Sequence, residues 1–330
     1  MLKRRFITSI SAVCLSITLI VMALSCGSPQ TRPSVSLAMA NYFNSWLSTY
    51  AIREHIVTSD KVDVNITLAA DYETQIIAGK FPMGAMATAT FAIAREANNL
   101  QYKGISTYIL HEGAIKQDGV NILFASANSS INSPADLVGK KVGVPALTSS
   151  ATSVFLGFLK KEYGISENQL VLVNKQNPLL LELLRQGEID VAMLGGNVSV
   201  QAYVDPAFKI IWNLDKTFYA EYGDYFFPSI LVVSESYFDS NPDTVKAVYS
   251  LLQESNQYGE QHLSELAGEY AAEFGQTSDF YQMVFNEHSR TVMKPITGKT
   301  QNTLMATFSL VKERGIISIM PDPGEIFIKW

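Results

Sequence analysis

Between Lys141 and Leu194 the chain alternates strand-like and helix-like segments, and this alternation most narrows the folds open to it. Lys141 to Val144 and Leu170 to Val173 are short apolar runs with strand character. Between them Ala151, Val154, Phe155, Phe158 and Leu159 fall at i, i+3, i+4, i+7 and i+8, which predicts a helix over Ser150 to Tyr163. Gly164 supplies its stop, and Thr148, Ser149 or Ser150 its cap. Asn177 as cap and Pro178 in the first turn open a second helix running to Gln186. Asp190 to Leu194 then reads as a strand that breaks at Gly195-Gly196. Strands alternating with helices place the chain in the α/β class.

The same grammar appears upstream. Pro33 to Ala40 reads as a strand, Asn41 to Ile52 as a helix, and Val62 to Leu68 alternates with the period of a half-buried strand. Asp71 is expected to cap a helix from Tyr72 to Ala78, which Gly79 ends. The stretch from Ile76 to Met86 then echoes Leu184 to Leu194: a helix end, a glycine stop and a small-residue strand. That echo fits two lobes built on one plan. Val120 to Ala125 and Ser229 to Ser234 are further strands, expected where the chain crosses between lobes. After them come helical patterns over Pro242 to Gly259, His262 to Phe274, Asp279 to Phe285 and Gln301 to Arg314. Lacking strand partners of its own, this C-terminal part is expected to pack on the first lobe.

The N-terminus carries a different signal. Lys3, Arg4 and Arg5 precede a largely apolar run from Phe6 to Leu24, and Ala23-Leu24-Ser25-Cys26 follows, then Gly27-Ser28-Pro29-Gln30. The run of about 19 residues borders on the roughly 20 that span a bilayer, so an uncleaved anchor or an ordinary secretory signal stands beside the lipoprotein reading. The segment resembles the lipobox of bacterial lipoproteins, with Ala23 where leucine is usual. This makes Cys26 the expected lipidation site, residues 1–26 a signal peptide and 27–34 a flexible tether. Cys14 would leave with the signal, so no disulfide is available to the mature chain. The chain is expected to work outside the cytoplasm.

Composition narrows the functions. The content of 47% hydrophobic and 17% charged residues is ordinary for globular domains. Loss of three cationic residues with the leader takes the net charge from −6 to about −9. The remaining lysines and arginines are scattered, which argues against nucleic acid as a partner. The four histidines, His55, His111, His262 and His288, share no metal-ligand spacing, and no phosphate-binding or nucleophile-elbow motif appears. No catalytic residue, metal or cofactor is expected.

The candidate ligand contacts are polar turns at the carboxyl ends of strands, where open α/β sheets bind their ligands. The richest is the hydroxyl-bearing turn with Thr148, Ser149, Ser150 and Thr152, at a helix N-terminus suited to anions or carbonyl oxygens. The same rule selects Asn41 and Tyr42, Thr88 and Thr90, and Gly196 and Asn197. Trp46 is a stacking candidate with core packing as its alternative, and Phe226 a candidate for the cleft wall.

Several segments together resemble the solute-binding proteins of ABC importers, of the nitrate, sulfonate and taurine type. They are Ser133 to Pro145 with its Asp-Leu-Val-Gly-Lys-Lys-Val-Gly-Val core, Leu183 to Ala192, Ile230 to Phe238, and Asn241 to Ala247. The resemblance implies a type II periplasmic-binding fold: two α/β lobes joined by two crossing strands, closing over a small molecule. Lobe 1 is then expected at 35–126 plus 227–330 and lobe 2 at 127–226. It further implies a monomeric receptor, lipid-anchored on the membrane surface, that delivers a sulfonate-like, oxyanionic or small heterocyclic solute to an ABC permease. An enzyme on the same fold, of the menaquinone or thiamine-precursor type, and a solute-sensing lipoprotein are the alternatives.

Overall fold

A computed structural model describes residues 32–111 and 121–329. Cys26 and the leader lie outside the described residues. The strands are β1 (Ser34–Ala40), β2 (Asp63–Ala69), β3 (Met83–Ala87), β4 (Tyr102–His111), β5 (Ile122–Ser126), β6 (Lys141–Val144), β7 (Val171–Asn174), β8 (Val191–Leu194), β9 (Phe208–Asn213), β10 (Ser229–Ser234) and β11 (Ser289–Thr291). They form one sheet in the order β11-β4-β10-β3-β1-β2 and a second in the order β7-β6-β8-β5-β9.

The two sheets repeat one plan. In the first, β1 pairs in parallel with β2 and β3, and β10 runs antiparallel between β3 and β4. In the second, β6 pairs in parallel with β7 and β8, and β5 runs antiparallel between β8 and β9. Each sheet thus has a reversed strand in its interior, β10 in the first and β5 in the second, and in the first the edge strand β11 is reversed as well. The sequence echo falls at equivalent places: the helix Tyr72–Ile77 leads to β3 as the helix Asn177–Gln186 leads to β8. Gly79 and Gly187, which follow those helices, have φ of 73° and 72°, a conformation open to glycine without Cβ strain.

The central helix prediction holds residue for residue. Ser150–Tyr163 is α-helical, with Ser149 as its cap and Gly164 left-handed at its end. It buries Phe155, Phe158 and Leu159 against Val142, Val191 and Phe218, each such side chain contributing about 1.5–3 kcal/mol. In the first lobe, Phe91 and Phe308 fill one face of the sheet, and Leu37, Tyr108 and Leu252 the other. The helix Phe43–Arg53 adds Phe43 and Trp46 to a further aromatic group with Tyr270 and Tyr281.

Several expectations are corrected. Asp71 stands at the N-cap position as expected, but its side chain makes no cap bond; its Oδ1 accepts from Gln75 Nε2 at 2.7 Å instead. Gln176, not Asn177, stands at the cap of the next helix, and Asn177 Oδ1 accepts the Gly195 N–H at 3.3 Å. The expected first-lobe span reached residue 126, but Ile122–Ser126 pairs with β8 and β9 in the second sheet. The C-terminal part does have a strand, β11, antiparallel to β4. Nor does that part pack on the first lobe alone: in the helix Gly298–Glu313, Leu304 and Phe308 enter the first core while Leu310 enters the second.

Candidate functional site

Sheet topology selects the candidate place for a ligand. The carboxyl ends of β1 and β3 lead into the N-termini of the helices Phe43–Arg53 and Thr88–Asn98, and the carboxyl ends of β6 and β8 into Ser150–Tyr163 and Gly196–Val204. The two lobes meet at these ends. Ser150 Oγ accepts the Ala89 backbone N–H at 2.8 Å, joining the first turns of two helices on different sheets. On another side Val200 packs with Phe43 and Trp46, and the rings of Tyr203 and His288 stand 5.7 Å apart.

A third junction lies at Arg314. Its guanidinium donates to Glu167, with Nη2 at 3.2 Å from both carboxylate oxygens, to the Leu147 carbonyl at 2.6 Å and to Ser153 Oγ at 3.2 Å. The end of the long C-terminal helix is thereby tied to the turn that opens the second-lobe helix.

The predicted contacts divide into two groups. Asn41, Thr148 and Gly196 are exposed, Thr90, Ser149 and Asn197 partly so, and Tyr42 keeps 43% of its surface exposed. These stand at the expected strand ends. The others are occupied by packing or internal hydrogen bonds. Trp46 is buried against Tyr50 and Tyr270 with the Arg53 guanidinium over its ring. Phe226 is buried in the second-lobe core. Thr88 Oγ1 donates to the Phe227 carbonyl at 2.7 Å, Ser150 is held by Ala89, and Thr152 is fully buried beside its cap, Ser149.

One cluster escaped the sequence reading. Glu73, in the first turn after β2, accepts the Ala87 N–H at 2.6 Å through Oε1 and the Thr90 hydroxyl at 3.3 Å through Oε2. Burial pushes its pKa above the ordinary carboxylate value, against the pull of those two donors. Tyr42 and Tyr72 share a side-chain hydrogen bond, and burial pushes both hydroxyls well up, with the charge of Glu73 adding to the shift. Tyr108, behind them, is within 3.0 Å of Ser48 Oγ. The carboxyl-end rule applied to β2 points at Tyr72 and Glu73; treating acidic residues on helices as solvated hid them.

In the second lobe a groove of about 540 Å³ opens at the carboxyl ends of β6 and β7, lined by Pro145, Ala146, Asn174, Lys175, Gln176 and Leu179. Another of about 610 Å³, beside Lys61 and Lys246, sits by the start of β2, away from the ends that carry the site. Among the described residues no group of three His, Cys, Asp or Glu side chains is placed to hold a metal ion, and no helix is long and apolar enough to cross a membrane.

This arrangement has relatives. A stretch of 120 residues is 27% identical to the taurine-binding periplasmic protein of Escherichia coli K12, covering 36% of this chain and 35% of that one; the chain thus aligns with about a third of that relative's length. The periplasmic aliphatic sulphonate binding protein SsuA of Escherichia coli superposes with a TM-score of 0.73 at 12% identity, over 91% of this chain and 93% of the other. The alkanesulfonate-binding protein SsuA of Xanthomonas axonopodis pv. citri, bound to MOPS, gives 0.69 at 12% identity over 89% and 96%. These likenesses establish the two-lobed fold. The NMT1/THI5-like family pattern matches residues 58–264, well over half of the chain, and the chain belongs to that family.

Proposed function

We propose that the protein is an extracytoplasmic solute receptor that captures a small molecule between its lobes and passes it to an ABC permease. The observation that carries this reading is the meeting of the two lobes at the carboxyl ends of their strands, where Ser150 receives the Ala89 N–H. Helix N-termini there supply fixed donors, and tyrosine hydroxyls and a carboxylate supply acceptors. Closing such a cleft excludes water from the solute and is favoured only to the extent that the closed form contacts it better.

Capture without chemical conversion is the activity assigned. The sequence-level resemblance to a taurine-binding protein and the fold shared with two sulfonate-binding proteins support a sulfonate-like, oxyanionic or small heterocyclic solute. Lipidation at Cys26 would keep a monomeric receptor on the membrane surface beside its permease.

The test is a thermal-unfolding screen of residues 27–330 against sulfonates, nitrate, bicarbonate, amino acids and pyrimidines. A ligand at 100 times its dissociation constant stabilises by about 2.7 kcal/mol. A cooperative transition that no compound moves would count against the receptor reading.

A further inference from the structure

A groove of about 530 Å³ lies on the first lobe where β3 and β4 begin and β10 ends. The cleft stands at the opposite ends of these strands, where Ala87 pairs with Ser229. At about 3.3 Å per residue, roughly 13 Å of β3 separates the two. The groove also differs in chemistry from the one beside Lys61 and Lys246, which carries Asp60, Asp243 and Glu254 and is charged in both signs. Its own lining consists of glycine, proline, tyrosine, serine and amide side chains, with no carboxylate, lysine, arginine or histidine among them.

That neutrality is built into the fold. Glu235 follows Ser234 directly, but its carboxylate is drawn off by Arg95, whose Nη1 lies 3.0 Å from Oε1 and donates to the Tyr102 carbonyl as well. Backbone bonds hold the walls in place: the Ser234 N–H donates to the Pro82 carbonyl at 2.8 Å, and the Glu235 N–H to the Gln101 carbonyl at 3.0 Å. A preformed groove keeps the ordering cost of binding low.

The polar atoms of the groove are only partly used. Asn241 Nδ2 donates to the Tyr237 carbonyl at 3.2 Å and Gln101 Nε2 to Asn99 Oδ1 at 2.9 Å, so each amide keeps its side-chain oxygen as an open acceptor. The Ser234 and Ser236 hydroxyls share one bond at 3.0 Å, which leaves one O–H of the pair to donate. Beside them stand two aromatic rings. Tyr102 is 6% exposed, with its hydroxyl spent on the Phe81 carbonyl at 2.6 Å, and Tyr237 is half-buried. Aromatic surface combined with hydrogen-bonding groups of both senses matches a ring that bears C–H faces and many hydroxyls. An anion or a cation finds nothing there to neutralise it.

We propose that this groove is a second binding site, for a neutral saccharide unit of a glycan chain, and that it works independently of any solute held between the lobes. A groove open along its length, unlike a closed cavity, admits a unit from within a chain.

The test is calorimetric titration of residues 27–330, which include every described residue, with maltotriose and triacetylchitotriose as neutral probes and trigalacturonate as the charged one. The expected result is saturable binding of at least one neutral probe, about fivefold or more tighter than trigalacturonate. Ser240 is exposed on the rim, at the end of the helix Glu235–Ser240, so Ser240→Arg obstructs the groove without entering a core. It is expected to weaken the neutral probe by about fivefold or more. Should that variant fail to fold, Gln101→Ala decides: Gln101 is exposed, and loss of its acceptor is expected to weaken the same probe by about two- to tenfold. No saturable binding of either neutral probe, trigalacturonate binding as tightly as they do, or a saccharide affinity that the folded variant leaves unchanged overturns the proposal. Each of those results leaves the receptor reading intact, because the cleft takes no part in them.

Discussion

Ser150 and Ala89 begin helices on different sheets, yet Ser150 Oγ accepts the Ala89 N–H at 2.8 Å. The bond spans two helix starts on different sheets, so separating these two turns would break it. Ser150→Ala removes the acceptor, and a hydrogen bond of this kind contributes about 0.5–1.5 kcal/mol. If closure is part of binding, as the proposed function has it, affinity for the solute is expected to fall by roughly two- to tenfold with little change in the unliganded melting temperature. Calorimetric titration of the variant beside the parent protein measures this, and unchanged affinity would show that the bond plays no part in the liganded state.

Phe226 and Phe227 are consecutive and each is 1% exposed, but Phe226 belongs to the second-lobe core and Phe227 to the first. The two side chains thus enter different cores. Phe226→Leu and Phe227→Leu are each expected to cost about 1–2 kcal/mol by urea unfolding. Because the side chains pack in separate cores and share no core partners, the double variant should equal the sum of the singles within about 0.5 kcal/mol although the residues are adjacent in the chain. Strong non-additivity would mean the two cores are coupled at the hinge.

Arg314 and Glu167 form a bidentate pair in which the arginine side chain is 9% exposed and the carboxylate 46%. Glu167→Ala therefore removes a largely solvated partner and should cost less than about 1 kcal/mol. Arg314→Ala also frees the Leu147 carbonyl and Ser153 Oγ, and should cost more, about 1–3 kcal/mol. The ordering of the two variants in a denaturation series is the check.

Glu73 gives a pH dependence with a defined sign. Its folded-state pKa is raised by burial, so the folded chain holds the proton more readily than the unfolded chain does. Its contribution favours folding below the unfolded value, about 4.3, and is lost as pH rises through the folded value. Glu73→Gln is accordingly expected to match or exceed the parent in unliganded stability at pH 7, with the difference shrinking toward pH 4. A variant that is less stable at pH 7 than at pH 4, relative to the parent, would contradict this.

The alternation from Lys141 to Leu194 was legible because apolar spacing, capping serines and stop glycines agree there; Ser149, Gly164 and Gly187 take the parts their chemistry suits. Asp71 holds the cap position without a cap bond because Gln75, one turn on, takes its carboxylate, and the cap at Asn177 was misassigned because its side chain accepts the distant Gly195 N–H. Membership of Ile122–Ser126 in the second sheet depends on pairing with β8 and β9, which no local pattern encodes. The topological rule selected Asn41 and Tyr42, and they do stand directly after β1. Ser150 and Thr88 were found as well, but their hydrogen bonds are spent inside the protein.

The central claim is that a solute is held between the lobes and draws them together. Small-angle scattering of residues 27–330, with and without a saturating ligand found by the thermal screen, tests it most directly. The account predicts a smaller radius of gyration with ligand than without, and a Ser150→Ala protein that needs more ligand to reach it. Saturating binding with an unchanged scattering profile would contradict closure and place the ligand elsewhere on the molecule.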